Sequence, residues 1–297
     1  MAHVMNILIV TRLCIGYQRP DLFEYRLALL EATAARSIRA QTDRDFTWVI
    51  STDCRAPDWV FSRLEAMGDN IVVFKRDPLA SGLTPIGGEG VRSFGDVKTA
   101  VVRLDDDDLL RRDFVAHLRT VGADLPLNSA ITWENGFNLY EGGVELATYA
   151  WSGQGTTTIS TADHFFNPYT TNHLRLGEKA VARGGVALVD QERMWVRTWH
   201  AASDSTAARG IRFERTGNDA DLRDFGVEDH QAIYRILSNQ PPPPQFEGKV
   251  QAASEVKAEI FKLYAEAKKA ARRSKTPKEV RSLKRRMARL AHALYNA

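Results

Sequence analysis

Short apolar runs alternate with amphipathic segments along the first third of the chain. The runs at 5–11, 46–53 and 70–74 predict three strands, because they are rich in strand-forming residues and too short for independent helices. Apolar side chains at helical spacing over 22–40 and 57–67 predict helices between these strands. Alternating strands and helices indicate an α/β fold with a mostly parallel sheet and flanking helices.

The rest of the pattern is less regular. A helix is predicted over 114–121, and two strands over 129–133 and 144–149, which would add an antiparallel pair to the sheet. Residues 150–185 have little periodicity and are rich in aromatic and small polar side chains, so they are predicted to form binding loops. A further helix is predicted over 191–199.

Four adjacent carboxylates follow the apolar run at 101–104, at Asp105, Asp106, Asp107 and Asp108. Such neighbours repel one another, so the run needs a cation or full solvation. If the strand pleat continues, Asp105 and Asp107 point to one side and the other two point to the opposite side. One pair of these carboxylates could therefore hold a hard metal ion.

A further carboxylate, Asp53, ends the strand predicted at 46–53. Ligands of parallel sheets collect at the carboxyl ends of the strands, so Asp53 and the aspartate run should share one crevice. The Gly- and Pro-rich segment 77–95 is predicted to form a flexible wall there, with contact to phosphate as an open alternative. Its spacing matches neither the dinucleotide fingerprint nor the phosphate-binding loop.

Length and composition indicate how many domains the chain forms and in which compartment it is expected. The 297 residues are 44% hydrophobic and 26% charged, which suits one large domain, or one domain with an appendage. The sequence contains no apolar stretch of the roughly 20 residues that span a bilayer and no secretory leader, so we expect a cytoplasmic protein. Cys14 and Cys54 are expected to be buried, reduced thiols.

Charge divides the chain. Residues 248–297 carry 14 Lys or Arg against 4 Glu, whereas residues 1–247 carry 26 basic and 33 acidic side chains. Pro241–Pro244 mark the boundary, which predicts a catalytic domain over 1–240 and a Pro-rich linker with a basic helical hairpin over 241–297. The basic face of the hairpin could contact an anionic membrane at its inner face, or it could be only a solvated surface. We expect no nucleic acid partner, and the oligomeric state stays open.

Several motifs, in this order, resemble glycosyltransferases of the GT-A fold, and more narrowly the rhamnosyltransferase family that is similar to glycosyltransferase family 2. The likeness covers roughly residues 5–230 and leaves the basic appendage unmatched. It rests on Ser37–Thr42, Asp45-Phe46, the strand ending at Asp53, the segment Arg103–Asp108, Gly136-Phe137, Asn172–Arg175, Met194-Trp195 and His200.

The resemblance implies a Rossmann-like sheet and a metal-dependent, inverting transfer of a sugar from a nucleoside-diphosphate donor. The family label suggests dTDP-rhamnose as the donor, and the acceptor would be a hydroxyl of a glycan or glycolipid. A Mg²⁺ or Mn²⁺ ion would bind at a motif of the Asp-x-Asp type and stabilise the charge on the leaving diphosphate.

The resemblance also implies roles for individual residues. Asp107 would be the direct metal ligand, Asp105 would lie near the ribose or a metal-bound water, and His200 would complete the metal shell. Asp53 would contact the nucleobase. The donor-binding positions implied in this way are Thr11, Arg12, Asp53, Arg103, Asp105 and Asp106.

An inverting transfer also needs a general base close to the acceptor hydroxyl. By likeness to relatives this is Asp190, which precedes the helix predicted over 191–199, with Glu134, Asp163 and Asp229 as alternatives. Asp163 and His173 are expected on the acceptor side, and His164 is a further candidate there, with an ordinary surface or core role as the open alternative for both histidines.

Two other functions fit the same residues. A sugar nucleotidyltransferase would also place aspartates and a metal at strand ends, but it usually has a Gly-rich basic loop after its first strand. Residues 11–17 carry only Gly16, which disfavours this alternative. A non-enzymatic protein could use the acidic run for cation binding and the basic hairpin for assembly.

Overall fold

The computed structural model describes residues 5–15, 19–68, 70–76, 88–148, 154–169, 175–200 and 222–239. The strands in these ranges are β1 (Asn6–Leu13), β2 (Thr47–Asp53), β3 (Ile71–Arg76), β4 (Thr99–Arg103), β5 (Leu109–Leu110), β6 (Ala130–Tyr140), β7 (Gly143–Thr148), β8 (Thr157–Ser160) and β9 (Ala187–Thr198). The α-helices are α1 (Pro20–Ala32), α2 (Ala34–Arg39), α3 (Asp58–Glu65), α4 (Gly88–Ser93), α5 (Phe114–Gly122), α6 (Leu176–Ala182) and α7 (Gln231–Ser238), and a 3-10 turn covers Arg223–Phe225.

The described strands form one mixed sheet in the order β3-β2-β1-β4-β8-β6-β9-β5, and β7 pairs with β6. The first four strands in this order are parallel, as the alternating pattern predicts. Strand β8 is antiparallel to both β4 and β6, while β6 and β9 are parallel to each other. Strands β6 and β9 therefore run in the same direction as β4, and their carboxyl ends point toward the same edge.

Strand β1 is covered on both faces, which explains its continuous apolar run. Ile7 and Ile9 point into the larger core, to which α1 contributes Phe23 and Leu27. The opposite face of the strand packs in a smaller cluster of Leu8, Val10, Val49, Val91 and Val101. Burial on both sides removes the polar alternation that a half-exposed strand would show.

The helix predicted over 191–199 is wrong, because this segment belongs to β9 (Ala187–Thr198). Its residues pair in parallel with β6, and Met194, Trp195 and Val196 are fully buried. The run Gln191–Met194 has good helix formers, but pairing with a neighbouring strand outweighs local preference. Asp190 consequently lies within a strand and does not precede a helix.

The helix predicted over 22–40 forms, but it breaks at Thr33 into α1 and α2. Strand β8 and helix α6 lie within the segment predicted to be irregular. Of the two free cysteines, Cys14 is buried as expected, whereas Cys54 is exposed because it lies in the turn after β2.

Residues 240–297 lie outside the described residues. The domain boundary, the basic hairpin and its membrane contact therefore stay predictions. Over the ranges that the structure does describe, no helix is long and apolar enough to span a bilayer.

Candidate active site

The carboxyl ends of β1, β2 and β4 lie side by side, because these strands are parallel neighbours. Asp53 ends β2, and Arg103 ends β4 opposite Val10 of β1. The backbone N–H of Leu104 donates to the carbonyl oxygen of Val10 at 3.0 Å, which leads the chain directly into the aspartate run. The expected shared edge for Asp53 and the aspartates is therefore present.

The four aspartates do not continue the strand pleat. Strand β4 ends at Arg103, and the chain then turns, with the N–H of Asp108 donating to the carbonyl oxygen of Asp105 at 3.3 Å. The turn replaces the strand pleat, so the alternating arrangement expected from the pleat is wrong. Asp105 accepts from Arg103 at 2.8 and 3.2 Å, and buried Asp108 accepts from the N–H of Thr198 at 2.8 Å.

Asp107 and His200 meet at this turn although 93 positions separate them. Their closest atoms, Oδ2 of Asp107 and Nε2 of His200, are 2.8 Å apart. Both side chains are buried, and the His200 ring lies edge-on to Tyr25 with ring centroids 5.6 Å apart. The structure thus brings together two of the residues to which the resemblance assigns metal binding.

Arg26 is a third member of this cluster that the sequence did not indicate. Its guanidinium makes a bidentate contact with Asp106, through Nε at 2.8 Å and through Nη2. Its Nη1 lies 3.2 Å from Oδ2 of Asp107 and 3.1 Å from Nε2 of His200. A buried cation therefore balances two of the four carboxylates.

The surroundings move the carboxyl pKa values in opposite directions. Burial raises the pKa of Asp107, but the Arg26 guanidinium and the hydrogen bond with His200 outweigh burial and hold it well below its usual value. The pKa of Asp108 is raised well above its usual value by burial and by the neighbouring carboxylates of Asp107 and Asp105. Burial and like charge therefore act most strongly on Asp108, whereas Arg26 favours the ionised form of Asp107.

Asp107 and His200 are the two candidate ligands for a divalent ion at this turn. The Asp107–His200 separation of 2.8 Å is close to the ~3 Å between adjacent ligand atoms of an octahedral ion with bonds of about 2.1 Å. Within the described ranges, no cluster of three or more His, Cys, Asp or Glu side chains is placed to hold a metal alone. Asp107 and His200 therefore offer one carboxylate oxygen and one imidazole nitrogen, which are ligand types that a divalent ion such as Mn²⁺ accepts.

Two arginines flank Tyr169, which the sequence interpretation did not select. The guanidinium carbons of Arg12 and Arg103 each lie 4.9 Å from the centre of its ring. The Tyr169 hydroxyl donates to the carbonyl oxygen of Val10 at 2.8 Å and lies 3.2 Å from that of Leu104. The ring thus places two cations beside the aspartate turn, and Nε of Arg12 is buried without a hydrogen bond among the described residues.

Thr11 and Asp53 occupy different surroundings from those expected of residues that contact a donor. Thr11 is fully buried on the core face of β1, where its hydroxyl accepts from Nε1 of Trp48 at 3.0 Å, so it supports the fold and does not line the crevice. Asp53 is also buried and accepts from the N–H and the guanidinium of Arg55 at 2.8 to 2.9 Å. Asp53 therefore orients Arg55, which is partly exposed at the strand edge.

The predicted bases Asp190 and Glu134 are not brought to the aspartate turn. Asp190 pairs across the sheet with Trp133, and its carboxylate lies 2.9 Å from Nε2 of His117. Asp190 lies near the amino end of β9, eight positions before Thr198. This spacing corresponds to roughly 26 Å along a strand. Glu134 follows Trp133 in β6, five positions before Leu139, which pairs with Thr198. Parallel strand direction separates these acids from the carboxyl edge, which sequence order alone does not reveal.

The other predicted residues are dispersed or undescribed. Asp163 and His164 are exposed in the loop after β8, and Asp229 accepts from the N–H of Gln231 at the start of α7. His173 lies outside the described residues.

The Gln-Thr motif has a structural explanation. The buried Gln41 side chain donates from Nε2 to the carbonyl oxygens of Ser37 and Arg111, and its Oε1 accepts from the N–H of Val115. The N–H of Thr42 donates to the carbonyl oxygen of Arg112 at 2.7 Å. The motif therefore ties the end of α2 to the start of α5.

The sequence was compared with models of known protein families, and one family matches most of the chain. The family model described as "Putative rhamnosyl transferase" matches residues 15–212, and the chain belongs to this family. No curated protein matches the sequence.

Two solved structures are similar to this chain at low identity. One is described as a "Putative Glucose-1-Phosphate Thymidylyltransferase" from Bacillus anthracis in complex with a sucrose, at 12% identity and a TM-score of 0.40, covering 71% of this chain and 98% of that chain. The other is a 4-diphosphocytidyl-2C-methyl-D-erythritol synthase, at 13% identity and a TM-score of 0.34, covering 63% of this chain and 89% of that chain.

Proposed function

We propose that this protein is an inverting glycosyltransferase that moves a sugar from a nucleoside-diphosphate donor to a hydroxyl of a glycan or glycolipid. Its membership of the rhamnosyl transferase family supports this class of reaction. The observation that carries the proposal is the contact between Asp107 and His200, at the carboxyl ends of parallel strands in a Rossmann-like sheet. The family description favours dTDP-rhamnose as the donor.

The donor diphosphate is proposed to lie between the Asp107–His200 pair and the two arginines around Tyr169. Arg12 and Arg103 present guanidinium groups, which suit phosphate oxygens because of their planar, multiple donors. Tyr169 restricts both arginines through its ring, so less freedom is lost when the phosphates bind. Asp105, held by Arg103, lies on the ribose side in this proposal.

A divalent cation, Mn²⁺ or Mg²⁺, would neutralise the charge that develops on the leaving diphosphate. Asp107 and His200 would hold this ion. Asp53 lies at the neighbouring strand end and is proposed to act at the nucleobase side together with Arg55. Contact of the basic segment 248–297 with an anionic membrane, at the inner face of the membrane, belongs to the same proposal.

Thermal unfolding with Mn²⁺ and single nucleotides tests donor recognition. At one hundred times its dissociation constant a ligand stabilises the native state by about 2.7 kcal/mol, which for a domain of this size is a shift of roughly 5 to 10 °C. We expect Mn²⁺ with one of dTDP, UDP and GDP to produce such a shift.

The matching nucleoside monophosphate is the control, because it lacks the second phosphate and should give less than half of that shift. No stabilisation by any nucleoside diphosphate in the presence of Mn²⁺ would argue strongly against the proposed donor class.

A further inference from the structure

Arg26 occupies the position toward which the two proposed metal ligands point. Its Nη1 lies 3.2 Å from Oδ2 of Asp107 and 3.1 Å from Nε2 of His200, while those two atoms are 2.8 Å apart. The three atoms form a nearly equilateral triangle. Nη1 can donate to Oδ2 of Asp107, whereas Nε2 of His200 either donates to that Oδ2 or accepts from Nη1, depending on the ring tautomer.

The position of Arg26 is fixed by its surroundings. The residue lies in α1, and only 11% of its side chain is exposed. Its Nε and Nη2 atoms contact both carboxylate oxygens of Asp106, which is itself buried. Arg26 therefore has an anchor that does not depend on Asp107 or His200.

A divalent ion and the guanidinium cannot both lie beside the same two ligand atoms. Like charges a few ångströms apart repel strongly where water is largely excluded, and the Arg26, Asp107 and His200 side chains are almost fully buried. Metal entry therefore requires Nη1 to withdraw, and because the guanidinium is planar and rigid, this movement also shifts its bidentate contact with Asp106.

We propose that Arg26 is the resident counter-ion of the metal site and opposes metal binding until a donor diphosphate brings additional negative charge. This inference rests on the metal site of the proposed function. Without metal, Arg26 holds Asp107 and His200 in place. With the donor present, the phosphates attract both the ion and the displaced guanidinium, so metal and donor bind together. Arg26 is accordingly a positioning residue that couples metal binding to donor binding.

Direct titration with Mn²⁺, in the absence of nucleotide, tests this role. Free Mn²⁺ is followed by electron paramagnetic resonance in the wild-type protein and in Arg26→Met. We expect the variant to bind Mn²⁺ at least tenfold more tightly, because the competing charge is gone.

The matched control is Arg63→Met. Arg63 is also paired bidentately, with Glu31 of α1, at 3.0 and 2.5 Å, and it does not contact the aspartate turn. The control should change Mn²⁺ affinity less than twofold. Mn²⁺ affinity in Arg26→Met that equals or falls below that of the wild type would overturn the inference, as would an absence of binding in both proteins.

A second variant keeps the test valid if Arg26→Met does not fold. Removing Arg26 alone deprives the buried carboxylates of Asp106 and Asp107 of the cation that pairs with them. The double variant Arg26→Met with Asp106→Asn removes one charge of each sign and leaves Asp107 and His200 in place. It should show the same tenfold gain, and unchanged Mn²⁺ affinity would overturn the inference.

Failure of the proposed function is distinguishable from this result. If the transferase proposal is wrong, no sugar nucleotide releases its nucleoside diphosphate. If only the role of Arg26 is wrong, that release persists in the wild type while the substitutions leave Mn²⁺ affinity unchanged.

Discussion

Asp107→Asn is expected to reduce sugar transfer by about a thousandfold, the scale lost when an enzyme loses a principal stabiliser of leaving-group charge. Asparagine keeps the shape of the side chain and removes the charge that faces His200 and Arg26. The remaining amide oxygen is a poor ligand for a divalent ion in this position. The measurement is the rate of nucleoside diphosphate release from the preferred sugar nucleotide at saturating Mn²⁺.

The fold should survive this substitution, because Arg26 retains its bidentate contact with Asp106. A cooperative thermal transition verifies this point. Asp45→Asn is the matched control, since its carboxylate is 84% exposed and lies 3.4 Å from Nη2 of Arg119. A rate in Asp107→Asn within threefold of the control would show that Asp107 is not a ligand of the metal.

Gly136→Ala is expected to destabilise the protein by about 3 kcal/mol, at the upper end of the cost of overpacking a core. A Cβ at this position would lie 2.2 Å from Cδ2 of Trp195, which is fully buried. The indole cannot easily move away, because its Nε1 donates to the carbonyl oxygen of Trp133 at 2.8 Å. Denaturant unfolding monitored by tryptophan fluorescence measures the change.

Gly142→Ala is the matched control for this prediction. Its Cβ would lie 3.5 Å from Tyr140, an ordinary packing distance, so we expect a change of less than about 1 kcal/mol. Equal stabilities of the two variants would mean that the packing of β6 against Trp195 is not as described.

The sequence predicts the parallel half of the sheet because its signals are local. Strands β1, β2 and β3 are short apolar runs between helical patterns. Because these strands are parallel, Asp53 and the aspartate run, which follow the ends of β2 and β4, lie at the same edge of the sheet. The likeness to the rhamnosyltransferase family also indicates His200, which lies 93 positions from its partner Asp107.

Other features depend on contacts that no local pattern contains. Arg26 is one charged residue on α1, a helix whose side chains are mostly buried, and only tertiary packing brings it to Asp106 and His200. Tyr169 lies in an irregular loop, and its role follows from the two arginines across the sheet edge. Asp190 resembles a catalytic acid in sequence, but pairing of β9 with β6 places it at the other end of the strand.

The identity of the released phosphate compound tests the central claim most directly. The wild-type protein is incubated with Mn²⁺ and with dTDP-rhamnose, a UDP-sugar or a GDP-sugar, and in parallel with the nucleoside triphosphates and sugar 1-phosphates. We predict release of a nucleoside diphosphate from at least one sugar nucleotide and no pyrophosphate from the triphosphate mixtures. Pyrophosphate release, with no nucleoside diphosphate from any sugar nucleotide, would contradict it and identify a nucleotidyltransferase.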